Sequence, residues 1–251
     1  MSRLPSRRRL LAAALAAPAL LAARAAHATE EVDVELVLAV DVSRSVDAEE
    51  MEMQMRGYAD AFRDPRLAEG IAAGPIGAIA ITLFIWSDWN YQRTLVPWMR
   101  LDGPDSCAAF AAALDAAPRE TFLYTSISGA IDFAARRFGE RYAGMRRVVD
   151  ISGDGVNNSG RALAEARAEA LARGIVLNGL AVLDRSPQPA ALMAGLPPVD
   201  DYFRDEVIGG PGAFLMVAEG YEAFGSAVRR KIIREIAAIP APGPLVERAF
   251  A

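Results

Sequence analysis

The run Leu36-Val37-Leu38-Ala39-Val40 carries no polar side chain and two β-branched residues. Successive side chains of a strand point to opposite faces, so a strand with this sequence must be covered on both. That demand is met by a central parallel strand with helices packed above and below the sheet. The rest of the chain has to supply those helices and the neighbouring strands.

It does so in alternation. Asp47 with Glu50 three residues on predicts a capped helix start, and Met51, Met55, Tyr58 and Phe62 follow at helical spacing. Ile76 to Ile85 reads as a second apolar strand, and Trp86 to Asn90 as a reversal into an edge strand from Tyr91 to Val96. Helices are expected from Pro104 to Leu114, across Ile127, Ala130, Ile131, Ala134 and Phe138, and from Ala162 to Arg173, where Gly174 stops the turn. Arg147 to Ile151, Ile175 to Val182 and Ala213 to Val217 read as strands, and Tyr221 to Ala238 as the last helix. The stretch from Asp184 to Gly212 reads as a long surface loop or a pair of short elements. The tail from Pro240 to Ala251 is expected to have no fixed structure. Alternating strands and helices give an α/β fold of three layers, a doubly wound, mostly parallel sheet.

The first 28 residues are expected to lie outside this fold. Arg7, Arg8 and Arg9 make a positive head, Leu10 to Ala23 an apolar run, and Ala26-His27-Ala28 a cleavage pattern. The run is shorter than the roughly 20 residues a spanning helix needs. Ser6-Arg7-Arg8-Arg9-Leu10-Leu11 resembles a twin-arginine export signal, with a plain secretory signal and an uncleaved anchor as the alternatives. Export to the bacterial periplasm or beyond is the expected destination. The folded domain then occupies residues 29–239.

Losing that segment changes the available chemistry. Five of the 27 basic residues leave and none of the 32 acidic ones, so the remaining net charge is −10 instead of −5. A chain this acidic is a poor nucleic-acid binder, because phosphate neutralisation needs a basic face. His27 is the one histidine, and it leaves too. Ser-His-Asp and Cys-His catalysis are thereby excluded, as are His-ligated zinc and haem. Cys107 is alone, so it forms no internal disulfide and is read as a small buried residue.

The informative polar residues cluster at strand ends, where open parallel sheets bind ligands. Asp41-Val42-Ser43-Arg44-Ser45 directly follows the buried strand, Gly153-Asp154-Gly155 follows the strand ending at Ile151, and Tyr124-Thr125-Ser126 precedes a helix. Two carboxylates with several hydroxyls form an all-oxygen set of the kind hard cations prefer. Mg²⁺ is the first choice, with Mn²⁺ and Ca²⁺ open. Two carboxylates balance one divalent charge without exceeding it, so such an ion could still accept an outside carboxylate. Each residue also has a plainer role open to it: Ser43, Ser45 and Thr125 as helix caps, Asp154 with Asn157 as a turn. Asp150, inside a strand, needs a buried partner and is read as a support beneath the loop. Trp86, Trp89 and Trp98 are open to two readings, a binding surface or core.

Asp41-x-Ser43-x-Ser45, the later Thr125, and Asp154 before a glycine resemble the metal-ion-dependent adhesion site of von Willebrand factor type A domains. The order of strands and helices across residues 32–238 is similar too. The resemblance implies six strands with one antiparallel at the edge. It also implies that Ser43 and Ser45 bind the metal directly, Asp41 and Asp154 largely through water, and Thr125 in ligand-receptive states. The sixth position would go to an acidic residue of a protein partner, making the protein a binding module and not an enzyme. Thr121, Ser126 and Ser128 are alternatives for the threonine position. Ser152-Gly153-Asp154-Gly155 departs from the family's usual Thr-Asp-Gly, and Val156-Asn157-Asn158-Ser159-Gly160 resembles an exported bacterial branch without an assigned function. The competing function is a metal-dependent phosphohydrolase with Asp41 as nucleophile. Against it, position 43 is serine where an Asp-x-Asp pair would be needed, and Lys231, the chain's one lysine, falls in the last helix.

Overall fold

The structure, a computed structural model, describes residues 29–43, 46–118, 122–183, 195–237 and 245–250. The apolar run becomes part of a long strand, β1 (Glu30–Asp41), buried at every residue from Val34 to Asp41. Around it lie β2 (Ile79–Trp86), β3 (Gln92–Leu101), β4 (Tyr142–Gly153), β5 (Ile175–Val182), β6 (Phe214–Ala218) and β7 (Leu245–Ala249). They form one sheet in the order β3-β2-β1-β4-β5-β6-β7, parallel throughout except for the β2–β3 pair.

The helices are α1 (Ala48–Arg63), α2 (Pro65–Ala72), α3 (Pro104–Asp115), α4 (Ile127–Arg137), α5 (Leu163–Ala172), the short α6 (Val199–Tyr202) and α7 (Phe224–Ala237). The strand parity seen in the sequence sorts the core into two layers. Val34, Leu36, Leu38 and Val40 meet Met51, Met55, Tyr58 and Phe62 of α1 and Phe224, Val228 and Ile232 of α7. Val37 and Ala39 face the other way, toward Ile127, Ile131 and Ala134 of α4 and Ala166 of α5. Asp47 caps α1 as its sequence predicts: its carboxylate accepts from the amides of Glu49 and Glu50, and Glu50 reaches back to the Asp47 amide.

Two elements are added to those the sequence predicts. The sheet has seven strands, not six, because residues 245–249 of the presumed tail pair in parallel with β6, Phe214 opposite Leu245 and Ala218 opposite Ala249. Charged partners far away in sequence hold this strand: Arg248 bonds Glu219 at 2.7 Å and also reaches Asp200, while Glu247 takes Arg230 and Arg234. The helix α2 is the second, started by Asp64 as cap and Pro65 at the first position. In the Asp184–Gly212 stretch, residues 184–194 lie outside the described ones. From Val199 the chain forms α6, then a π-helical turn (Phe203–Val207) that buries Phe203 and Val207 against β5. Cys107 is buried on α3, where loss of hydration pushes its thiol up to about 11.

Candidate metal centre

The strand order reverses at β1, which has β2 on one side and β4 on the other. The crevice at the carboxyl ends of β1 and β4 is therefore the topological switch point of the sheet. Val40 pairs with Ser152, so Asp41 and the Gly153-Asp154 turn leave the sheet as neighbours.

Asp41 is fully buried. Its Oδ1 accepts the amide of Ser43 at 2.7 Å. Its Oδ2 has no hydrogen-bond partner among the described residues. A side chain at position 153 would begin 3.0 Å from that oxygen, so Gly153 is what leaves room beside it. Burial pushes the Asp41 carboxyl well above the usual carboxylate range, and the charge of Asp154 pushes it further; bonds from Ser43 oppose both. Two buried carboxylates at neighbouring strand ends repel unless a proton or a cation sits with them.

Asp154, 8% exposed, accepts a 2.9 Å hydrogen bond at Oδ2 from the hydroxyl of Tyr221. Tyr221 stands just ahead of α7, and burial and the Asp154 charge hold its phenol far above the ordinary tyrosine value. Sequence reasoning missed this residue, having counted it only as the start of a helix. The glycine before it, Gly220, at φ +95°, is the one local hint of a special turn.

Thr125 arrives on the loop before α4. Its Oγ1 lies 3.7 Å from where a side chain at Gly155 would begin, so the glycine brings the β4 turn up against the threonine. The distinctive Asn157-Asn158-Ser159 stretch holds the two loops together. Asn158 Oδ1 accepts the Thr125 amide at 2.9 Å, and Asn157 Oδ1 accepts the Ser128 amide at 2.9 Å. The amides of Asn158 and Ser159 in turn donate to the Thr125 carbonyl. Among the alternatives to Thr125, Ser126 is committed elsewhere: it caps α4 through the Gly129 amide and donates to the Ser159 carbonyl at 2.9 Å. Ser128 leans on the same carbonyl at 3.5 Å, and Thr121 lies outside the described residues.

Ser43 is buried at the end of β1 and bonded to Asp41 through its backbone. Ser45 lies outside the described residues. The structure thus brings Asp41, Ser43, Thr125 and Asp154 to one end of the sheet. Among the described residues no three His, Cys, Asp or Glu side chains group as a metal site. Two carboxylates with hydroxyls are what this crevice offers, and an orphaned buried carboxylate oxygen in an all-oxygen setting fits a hard divalent cation.

Asp150 belongs to a different arrangement. Asp150, Lys231 and Glu235 are all buried, with Lys231 Nζ 2.6 Å from a carboxylate oxygen of each acid. Asn178 Nδ2 donates to Glu235 at 3.0 Å. Lys231, remote in the sequence reading, is thus the partner Asp150 needed. The three tryptophans divide: Trp86 and Trp98 are core, and Trp89 is 61% exposed. No helix among the described residues is long and apolar enough to cross a membrane.

Residues 31–240 match the profile of a family described as a protein of unknown function (DUF1194). Among curated proteins, none matches the chain. Of the solved structures, proximal thread matrix protein 1 from the mussel byssus, described with a zinc-occupied MIDAS motif, aligns at a TM-score of 0.56. The identity is 13%, over 82% of this chain and 46% of that one. A von Willebrand factor type A protein from Catenulispora acidiphila aligns at 0.54 with 14% identity, over 82% and 43%. BatB from Bacteroides thetaiotaomicron aligns at 0.52 with 18% identity, over 82% and 100%. This chain spans about half the length of the mussel protein, 46% of it. At such identities the likeness shows the fold. With its sheet built on the von Willebrand factor type A plan and its residues 31–240 matched by the family's profile, the chain belongs to the DUF1194 family.

Proposed function

We propose that this protein is a divalent-cation-dependent protein-binding module, exported to the periplasm, in which Asp41, Ser43, Ser45, Thr125 and Asp154 hold the ion. The observation that carries this reading is the buried Asp41 Oδ2, without a hydrogen-bond partner among the described residues and kept clear by Gly153. A bound Mg²⁺, the first choice over Mn²⁺ and Ca²⁺, would supply an electrophilic position for the carboxylate of a partner protein. The chain's own residues set that position. Gly153 gives access, Tyr221 fixes the rotamer of Asp154, and Asn157 and Asn158 fix the loop of Thr125. The mussel protein of similar fold, described with a zinc-occupied MIDAS motif, supports a divalent ion as the ligand. Export rests on the Arg7–Ala28 segment of the sequence.

Binding, not hydrolysis, suits the charges. Lys231 is sealed in the core with Asp150 and Glu235, so it cannot serve a phosphate at Asp41. Calorimetric titration of the mature protein with Mg²⁺, Mn²⁺ and Ca²⁺, beside Ser43→Ala and Asp154→Ala, tests the ion. Saturable binding weakened in both variants is expected; identical traces for all three proteins would sink the proposal. Metal-dependent cleavage of p-nitrophenyl phosphate that disappears in Asp41→Asn would favour the phosphohydrolase instead.

A further inference from the structure

Three exposed large apolar side chains, Trp89 (61%), Leu123 (66%) and Tyr124 (54%), sit at the carboxyl end of the sheet, on two loops that touch. Trp89 belongs to the β2–β3 turn; Leu123 and Tyr124 directly precede Thr125. The loops are firmly joined. Ser87 Oγ donates to the Tyr124 carbonyl at 2.6 Å, the Ser126 amide donates to the Ser87 carbonyl at 2.7 Å, and the rings of Tyr91 and Phe122 lie 3.8 Å apart. A side chain at Gly160 would begin 2.6 Å from Ser126 Oγ and 3.2 Å from Trp89 Cβ, which places Trp89 against the loop that cross-links Thr125.

This exposure is not a by-product of loose loops, since both are pinned by backbone hydrogen bonds. Nor do these loops lack a core of their own: Trp86 is fully buried in one core layer, and Tyr91 and Phe122 pack against the other. Across residues 86–91 and 122–126 the one charged side chain is Asp88, and it is bonded by the Ser159 hydroxyl. Exposed apolar side chains on two loops joined this firmly mark a binding face, and Trp and Tyr are the residues that most often anchor one.

We infer that Trp89, Leu123 and Tyr124 form the apolar shoulder of the binding site, and that the partner presents a carboxylate flanked by apolar side chains. This rests on the metal-dependent reading above. The carboxylate would enter at the ion, and its neighbours in an extended segment would lie across the shoulder. A polar-flanked acidic loop would leave those three side chains in water.

Fluorescence polarisation with two synthetic twelve-residue peptides tests this, each with a single central glutamate, one flanked by Leu and Phe, the other by Ser and Gly. In saturating Mg²⁺ the apolar-flanked peptide is expected to bind at least tenfold tighter. The preference should vanish in Trp89→Ser and shrink in Leu123→Ser and Tyr124→Ser, and chelation should abolish binding of both. These side chains are exposed, so the variants should keep wild-type circular dichroism and metal titration. Equal binding of the two peptides, no binding of either, or a preference that survives all three substitutions overturns the shoulder while leaving the ion site intact. A protein that takes up no metal overturns both readings. Mg²⁺-dependent dimerisation in sedimentation, lost in Trp89→Ser, gives the surface to a second copy of the chain and also overturns the inference.

Discussion

The hydroxyl of Tyr221 donates to Asp154 Oδ2 at 2.9 Å, tying the entry of the last helix to the turn after β4. Groups that orient a metal ligand are worth about 10–100-fold in metal affinity when removed. Tyr221→Phe keeps the buried ring and deletes only the donor. Its expected effect is a roughly tenfold weaker dissociation constant for Mg²⁺ or Mn²⁺ by calorimetry, with the fold intact by circular dichroism. Unchanged affinity would show that Asp154 is held in place without the tyrosine.

Asn157 and Asn158 make a second test, on stability. Each side-chain oxygen satisfies one amide, of Ser128 and Thr125 respectively, and both of those residues are buried. Removing the acceptor leaves a buried N–H without a partner, at a cost of about 1–3 kcal/mol. Asn157→Ala and Asn158→Ala should each lower the urea midpoint by that equivalent. On the proposed function Asn158→Ala should also weaken metal binding, because it removes the acceptor of the Thr125 amide and leaves only the backbone bonds to its carbonyl. If both variants match wild type in urea, water has replaced the asparagines and the cross-link has little value.

The sequence revealed the fold where hydrophobic period decides it. β1 is centred on the apolar run Leu36–Val40, β2 and β5 are apolar but for Thr82 and Asn178, and α1 announces its own start through Asp47 and Glu50. The placement of Asp41, Thr125 and Asp154 was legible because strand ends and switch points follow from topology. What stayed hidden depends on partners distant in the chain. β7 is five residues long, and among the described residues its charged contacts come from Asp200, Glu219, Arg230 and Arg234. Tyr221 acquires its role from a residue 67 positions away, and Lys231, on α7, from Asp150 on β4. No local pattern signals such pairings.

β7 is therefore worth testing directly. It covers the outer edge of β6, all five of whose residues are buried, and Ala249 is itself 1% exposed. Ending the chain after Gly243 would uncover that edge and leave Asp200 and Glu219 without Arg248. An uncovered apolar edge strand is a template for aggregation. The truncated protein should melt several degrees lower and aggregate on heating, as followed by light scattering. A shortened protein with wild-type melting would show that β7 adds nothing to the sheet.

The buried triad gives the pH prediction. Loss of hydration, then the charge of Glu235, raise the Asp150 carboxyl to about 7, with Lys231 opposing. Tyr58 from α1 and Asn178 from β5 also face this cluster. An unfolded aspartate releases its proton near pH 4, so between about 4 and 7 the folded state holds a proton that the unfolded chain has lost. The stabilisation is complete below that window and disappears as pH rises through 7. On the order of 2–4 kcal/mol should be lost between pH 4.5 and 8 through this group. Asp150→Asn cannot titrate, so the gap between variant and wild type, measured by urea unfolding in chelator, should change over that range. Chelator matters because the Asp41 carboxyl is raised as well, and on the proposed function it would take up metal as it ionises. Lys231→Met should do more harm, about 3–5 kcal/mol, by leaving two buried carboxylates without a cation, and most at high pH, where both seek to be charged. Parallel pH profiles for wild type and Asp150→Asn would show that this carboxyl keeps an ordinary charge in the core.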